Sequence, residues 1–218
     1  MGSGVTTGDY NTALGYEAGK AITSGNKNTL VGGQAGDALT TGVSNTAVGM
    51  NALGSAIIID RNVAVGDAAL GSLVGDGSTA GQDTNNTAVG YAAGTAMNSG
   101  TANTLMGTQA GTALTSGSNN TYMGNSSGIA ATTSTHNIGI GDSALLTNIE
   151  GDQNVAIGAG ALQTLNPADG ASYNVAVGMQ AGKLMTTGVE NVIMGGLAGD
   201  ALTTSSYNIA IGHAALGS

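Results

Sequence analysis

The tightest constraint on this chain is a short phrase, Asn-x-x-x-Gly, that returns twelve times in strict order. The asparagines are Asn11, Asn28, Asn45, Asn62, Asn86, Asn103, Asn120, Asn137, Asn154, Asn174, Asn191 and Asn208. Four positions after each comes Gly15, Gly32, Gly49, Gly66, Gly90, Gly107, Gly124, Gly141, Gly158, Gly178, Gly195 or Gly212. The steps between successive asparagines are 17, 17, 17, 24, 17, 17, 17, 17, 20, 17 and 17 residues. A short fixed period marks a solenoid, whose units bury their apolar faces only against their neighbours. The expected fold is therefore all-β: one parallel β-solenoid over residues 1–218, of about twelve 17-residue coils. A partial coil at 5–10 precedes the full repeats that begin at 11, and another closes the chain at 208–218.

Within a repeat, positions are counted from the asparagine as zero. Position 1 is always β-branched, Thr or Val/Ile, and position 3 is always apolar, from Leu14 through Val89 to Ile211. Residues two apart on a strand share a face, so positions 1 and 3 point one way and position 2, mostly Ala, the other. The unbroken apolar row at position 3 is expected to be the inside. The glycine at position 4 ends the strand, at a corner with positive φ or a close backbone approach. Position 7, Ala in all repeats but that of Ser127, reads as a tight inward site. Position 8 is Gly or Leu. Position 11, as in Ile22, Leu39, Leu73, Met97 and Leu114, suggests a second inward row on a second short strand. Turns such as Thr40-Thr41-Gly42 follow. A recurring corner Asn suits a hydrogen-bonded ladder along the stack.

Composition narrows function by exclusion. The net charge is −9 with four Lys and Arg, which argues against nucleic acid, since that needs a basic footprint. There is no cysteine, hence no disulfide or thiolate site. No apolar run is long enough for a membrane span. No cofactor and no metal site is expected, and no catalytic residue stands out. His136 belongs to a mixed polar column just before the repeat asparagine, which reads as a solvated surface. Asp76 and Asp83 share an insertion, but their spacing matches no calcium loop. The Thr corners are too often interrupted for an ice-binding face. Asn-x-Ser/Thr acceptors are a by-product of an Asn- and Thr-rich repeat. Met1-Gly2-Ser3-Gly4-Val5-Thr6 fits a myristoylation pattern, although a leader is the simpler reading.

Three units depart from the rule. The fourth carries seven extra residues, giving the polar stretch Gly75 to Asn85, and the ninth carries three around Leu165 to Gly170. The third replaces its Thr-Thr-Gly turn with Ile57-Ile58-Ile59. Those isoleucines are either a local core packed under the inserted loop or part of an exposed contact patch. With Tyr16, Tyr91, Tyr173 and Tyr207 they are the candidate anchors for a partner, because specific binding needs bulky side chains.

Asn154-Val155-Ala156-Ile157-Gly158, followed by Ala161, is similar to the Ser-Val-Ala-Ile-Gly-x-x-Ser/Ala motif of trimeric autotransporter adhesin heads (the YadA-like type). The Asn86-to-Tyr91 form resembles repeats in tail-fibre proteins of tailed phages. The resemblance covers residues 5–218. It implies a left-handed β-roll, a homotrimer, and a stalk or host-contacting role in a virion tail fibre or at a cell surface. Its partners would be further copies of the chain, with end-to-end stacking open, and a host surface glycan or protein. A self-stacking filament without a receptor is the alternative. A left-handed-helix acyltransferase is the enzyme alternative, but it needs three hexapeptides per coil. Only one fits here, since position 9 holds Lys20, Asp37, Gly54 or Thr95 instead of an aliphatic residue. The expected protein is not an enzyme.

Overall fold

The computed structural model describes residues 8–76, 81–168 and 170–217. The myristoylation pattern, half of the partial coil at 5–10 and part of the long insertion lie outside the described residues. The described chain is a parallel β-solenoid with no helix. Twelve three-residue strands form one parallel sheet in chain order: Thr12–Leu14, Thr29–Val31, Thr46–Val48, Val63–Val65, Thr87–Val89, Thr104–Met106, Thr121–Met123, Ile138–Ile140, Val155–Ile157, Val175–Val177, Val192–Met194 and Ile209–Ile211. The register is unshifted throughout, position 1 on position 1 and position 3 on position 3. The insertions are excluded from that sheet, which passes from Val63–Val65 to Thr87–Val89 without a slip.

The inside of the coil is not the row that hydrophobicity suggests. Position 2 is buried: Leu30, Ala47, Ala64, Ala88, Leu105, Tyr122, Ala156, Ala176 and Ile193 are fully shielded. Position 3 faces outward, with Leu14 68%, Met106 39%, Ile157 37%, Met194 42% and Ile211 66% exposed. The expectation that position 3 forms the core is overturned. The physical reason lies in parity. The repeat asparagine is itself inside, and the residue two positions on must share its face.

The asparagine can be inside because every polar atom it carries is used. Its Oδ1 accepts the backbone N–H of the next asparagine at 2.9–3.1 Å, in all eleven steps from Asn11 to Asn208. Its Nδ2 donates across the coil to the carbonyl at position 14 in nine coils, at 2.7–3.0 Å. In these nine coils the side chain both ties one coil to the next and clips its own coil shut. In the two coils with insertions, Asn62 and Asn154 donate instead to the nearby carbonyls of Asp60 and Asp152. An unpaired buried amide would cost about 1–3 kcal/mol, so the ladder is what allows Asn here.

The core is filled by trade-off between positions 2 and 8. Position 8 has φ between +47° and +61° whether it is Gly or Leu. Glycine takes that conformation freely, and leucine takes it at a cost of about 1–2 kcal/mol. Leu53, Leu70, Leu145 and Leu162 occur where position 2 is Ala47, Ala64, Gly139 and Ala156. Where position 2 is large, position 8 is glycine. A Cβ on Gly36 would lie 2.9 Å from Leu30 Cδ2, and one on Gly128 would lie 2.7 Å from the Tyr122 ring. Ala at position 7 and the apolar side chains at position 11 complete the core, as at Ala35 and Leu39.

The corner glycine at position 4 has φ between +124° and +139° in all twelve coils. A Cβ there would approach the carbonyl of the next corner glycine to 2.3–2.6 Å, for example Gly107 on Gly124. Both reasons for glycine therefore act at the same atom. Among the described residues no strand includes position 11, so the second strand expected there is absent. The remaining described strands, Ile59–Asp60 paired with Gln82–Asp83 and Gly151–Asp152 paired with Gly170–Ala171, lie later in the coil, where the two insertions stack. The left-handed residues at positions 6 and 8 keep the rest of the coil in turns.

Candidate functional site

The surface set apart by its chemistry is the outer face of the twelve-stranded sheet. Positions 1 and 3 present two continuous rows of Thr, Val, Ile, Met and Leu, with no charged residue in either. Among the described residues nothing covers them: Ile138, Ile209 and the position-3 residues named above are more than a third exposed. With strands about 4.8 Å apart, the face runs for roughly 55 Å.

Two rims border this face. On one side, position −1 holds Tyr10, Lys27, Arg61, His136, Tyr173, Glu190 and Tyr207 among its members. All twelve residues of that column have φ between +51° and +62°, and none is glycine. On the other side, position 5 carries Tyr16, Met50, Asp67, Tyr91, Asp142, Met179 and His213 among its members. The tyrosines and methionines of both rims stand out into solvent, Tyr10 85% and Tyr91 58% exposed. An apolar centre bordered by Tyr, Met and Arg has the composition of a protein–protein interface.

The candidate anchors do not form one patch. Tyr16 and Tyr91 lie on one rim, Tyr173 and Tyr207 on the other. Of the isoleucines, Ile57 is exposed, Ile58 is half-buried and Ile59 is fully buried. Ile59 belongs to the strand on which the insertion stacks through Gln82 N–H to the Ile58 carbonyl at 3.1 Å. The Ile59 methyl lies under Gly75. The isoleucine turn thus sends Ile59 into the continuous core of the solenoid, beside the inserted segment, and leaves Ile57 in solvent. Sequence reading missed the sheet face because it assigned position 3 inward. The absence of any charge at both positions 1 and 3 was the available signal.

Beside that loop Arg61 pairs with Asp83, and Asp60 accepts the Val43 N–H at 2.7 Å. Burial raises the Asp60 pKa, the Val43 bond opposes this, and Asp83 adds to the rise. Among the described residues, no three His, Asp or Glu side chains gather as a metal site. Corner hydroxyls are turned to the stack: Thr40 and Thr115 donate to the carbonyls of Ile57 and Thr132 at 3.0 Å. An open, polar groove of about 360 Å³ runs over Asn51, Gly54, Ala68 and Gly71, where position 9 lacks a side chain.

Fold and surface together define a β-solenoid repeat protein. Comparison with family models, curated proteins and solved structures finds no match. Among the described residues, no helix is long and apolar enough to cross a membrane.

Proposed function

We propose that the chain is a structural, non-enzymatic rod: a segment of a virion tail fibre or an extracellular adhesin head, assembled as a homotrimer that presents its remaining surface to a host glycan or protein. One observation carries the reading. The outward sheet face is apolar along its full length and uncharged, while the inside is already filled. Such a face left in water forfeits the burial of one apolar side chain in the six coils with Thr at position 1 and of two in the other six, each contributing about 1.5–3 kcal/mol when fully covered. With its rims the face measures roughly 1,000 Å², above the ~800 Å² that each partner brings to a standard interface. The likeness of the repeats to adhesin heads and tail fibres supports three copies and an extracellular setting.

Multi-angle light scattering tests the assembly. The expected mass is close to three times the 20.9 kDa chain. A mass of one chain at about 100 μM, where a standard interface is populated, refutes it. Adsorption of the purified assembly to host cells, competed by host surface glycan, tests the contact role separately.

A further inference from the structure

We propose that neighbouring copies stand parallel and level, with the position −1 rim of one against the position 5 rim of the next, keyed by Arg61 on the partner's Asp67 and His136 on the partner's Asp142. This rests on the homotrimer proposed above, whose closed rotational symmetry already sets the copies parallel and level, and adds the residues that key one rim to the next.

Two such faces can meet in two ways. With stacks parallel, the −1 rim of one copy borders the 5 rim of the other at equal height. With stacks antiparallel, each rim borders its own counterpart in reverse order. Position 5 carries two acids in the whole chain, Asp67 and Asp142. Their own coils carry Arg61 and His136 at position −1. The level, parallel arrangement therefore gives both acids a donor partner, since His offers an N–H in either protonation state. It brings no like charges together, because Lys27 then borders Gly33 and Glu190 borders Gly196. Bulk agrees as well: Tyr10 meets Tyr16 and Tyr173 meets Met179. Sliding one copy by a single coil in either direction breaks both pairs. An antiparallel meeting joins Lys27 to Glu190 but leaves Asp67 and Asp142 opposite Ala159 and Tyr91.

Inside one chain these partners do not compete. Arg61 and Asp67 sit on opposite edges of a strand, roughly 15–20 Å apart at strand rise, beyond the ~10 Å screening length of 0.1 M salt. Any coupling between them in association thus reports the neighbour. Arg61 also bonds Asp83 of its own chain, and Asp142 accepts from Asn125 Nδ2 at 3.0 Å and Ser143 Oγ at 3.1 Å. These contacts hold the charged ends at the rim.

The experiment is a pair of charge-swap cycles read by sedimentation equilibrium in 0.1 M salt. The variants are R61D, D67R and R61D/D67R, then H136D, D142K and H136D/D142K, with K27E as control. Each single reversal is expected to weaken association about tenfold, since the effect repeats at every interface of the ring, and to alter its salt dependence. Each double swap should recover most of that loss, and K27E should leave association unchanged. Single effects that merely multiply in both doubles overturn the register while the assembly stands. K27E weakening association without coupling in either cycle overturns both the two pairs and the ring, since Lys27 meets Glu190 only between antiparallel copies. A monomeric wild type removes the assembly itself, a separate failure. R61D sets an acid beside Asp60 and Asp83. If its circular dichroism shows misfolding, the His136–Asp142 cycle decides.

Discussion

Replacing Gly107 by alanine separates two penalties that coincide at the corner. The first is conformational: φ is +136°, where an L-residue is strained by about 1–3 kcal/mol. The second is contact between coils. The new Cβ would lie 2.4 Å from the Gly124 carbonyl oxygen and 2.6 Å from its carbon. Ordinary contact lies about 1 Å farther out, so the coils must part locally by about that much. The flanking bonds are Gly124 N–H to Met106 O at 2.7 Å and Ser126 N–H to Thr108 O at 2.9 Å. Stretched by about 1 Å, both leave hydrogen-bonding range, at roughly 1–3 kcal/mol each. The expected total is about 3–9 kcal/mol. Gly170 supplies the control, because its φ is +126° and a Cβ there meets nothing within 4 Å. Gly170→Ala should show the conformational cost alone. Urea unfolding followed by circular dichroism gives the difference between the variants. Hydrogen exchange gives its location, with protection lost at the Gly124 and Ser126 amides in Gly107→Ala only. If the two variants match within about 0.5 kcal/mol, or those amides keep their protection, the close-approach argument is wrong.

Four further outcomes are expected. Asn103→Ala orphans the Asn120 N–H and the Gly117 carbonyl and should cost about 3 kcal/mol or more by urea melt. Asn148→Ala, which removes a buried Oδ1 without a protein partner, should stay within about 1 kcal/mol of wild type. Ala88→Asp puts an unpaired charge in the core and should abolish the folded circular dichroism signal, whereas Val89→Asp should keep that signal and lose the assembly in light scattering. Burial raises the Tyr122 pKa from 10.0 to about 12, with Ser134 opposing it. The unfolded chain therefore loses that proton first. The contribution of this group is constant below pH 10 and should fall by up to about 3 kcal/mol as pH rises to about 12, and in Tyr122→Phe this slope should shrink by the same amount.

The repeat alone determined the architecture. Asn and Gly recurring at one spacing leave a stacked parallel coil as the arrangement that serves every repeat, and the corner role of Gly90 or Gly107 followed from glycine's freedom at positive φ. Positions 7 and 11 were legible as inward because small or apolar residues recur there with polar neighbours. The direction of the strand was not legible. Val89 and Ala88 are both apolar, and a row of Val, Ile and Met looks the same whether it fills a core or coats an uncovered face. Tertiary structure decided it through the Asn86 and Asn103 side chains, whose polar atoms are satisfied only when coils stack in register. A polar residue read singly belongs at a corner. Read as a ladder it belongs inside, and it carries position 2 in with it. The pairing of Leu53 with Ala47, and of Gly36 with Leu30, likewise becomes visible only when the coil closes and brings positions six residues apart face to face. The isoleucine turn divided between solvent and core for the same reason, since the inserted segment beside Ile59 reaches it from the next coil.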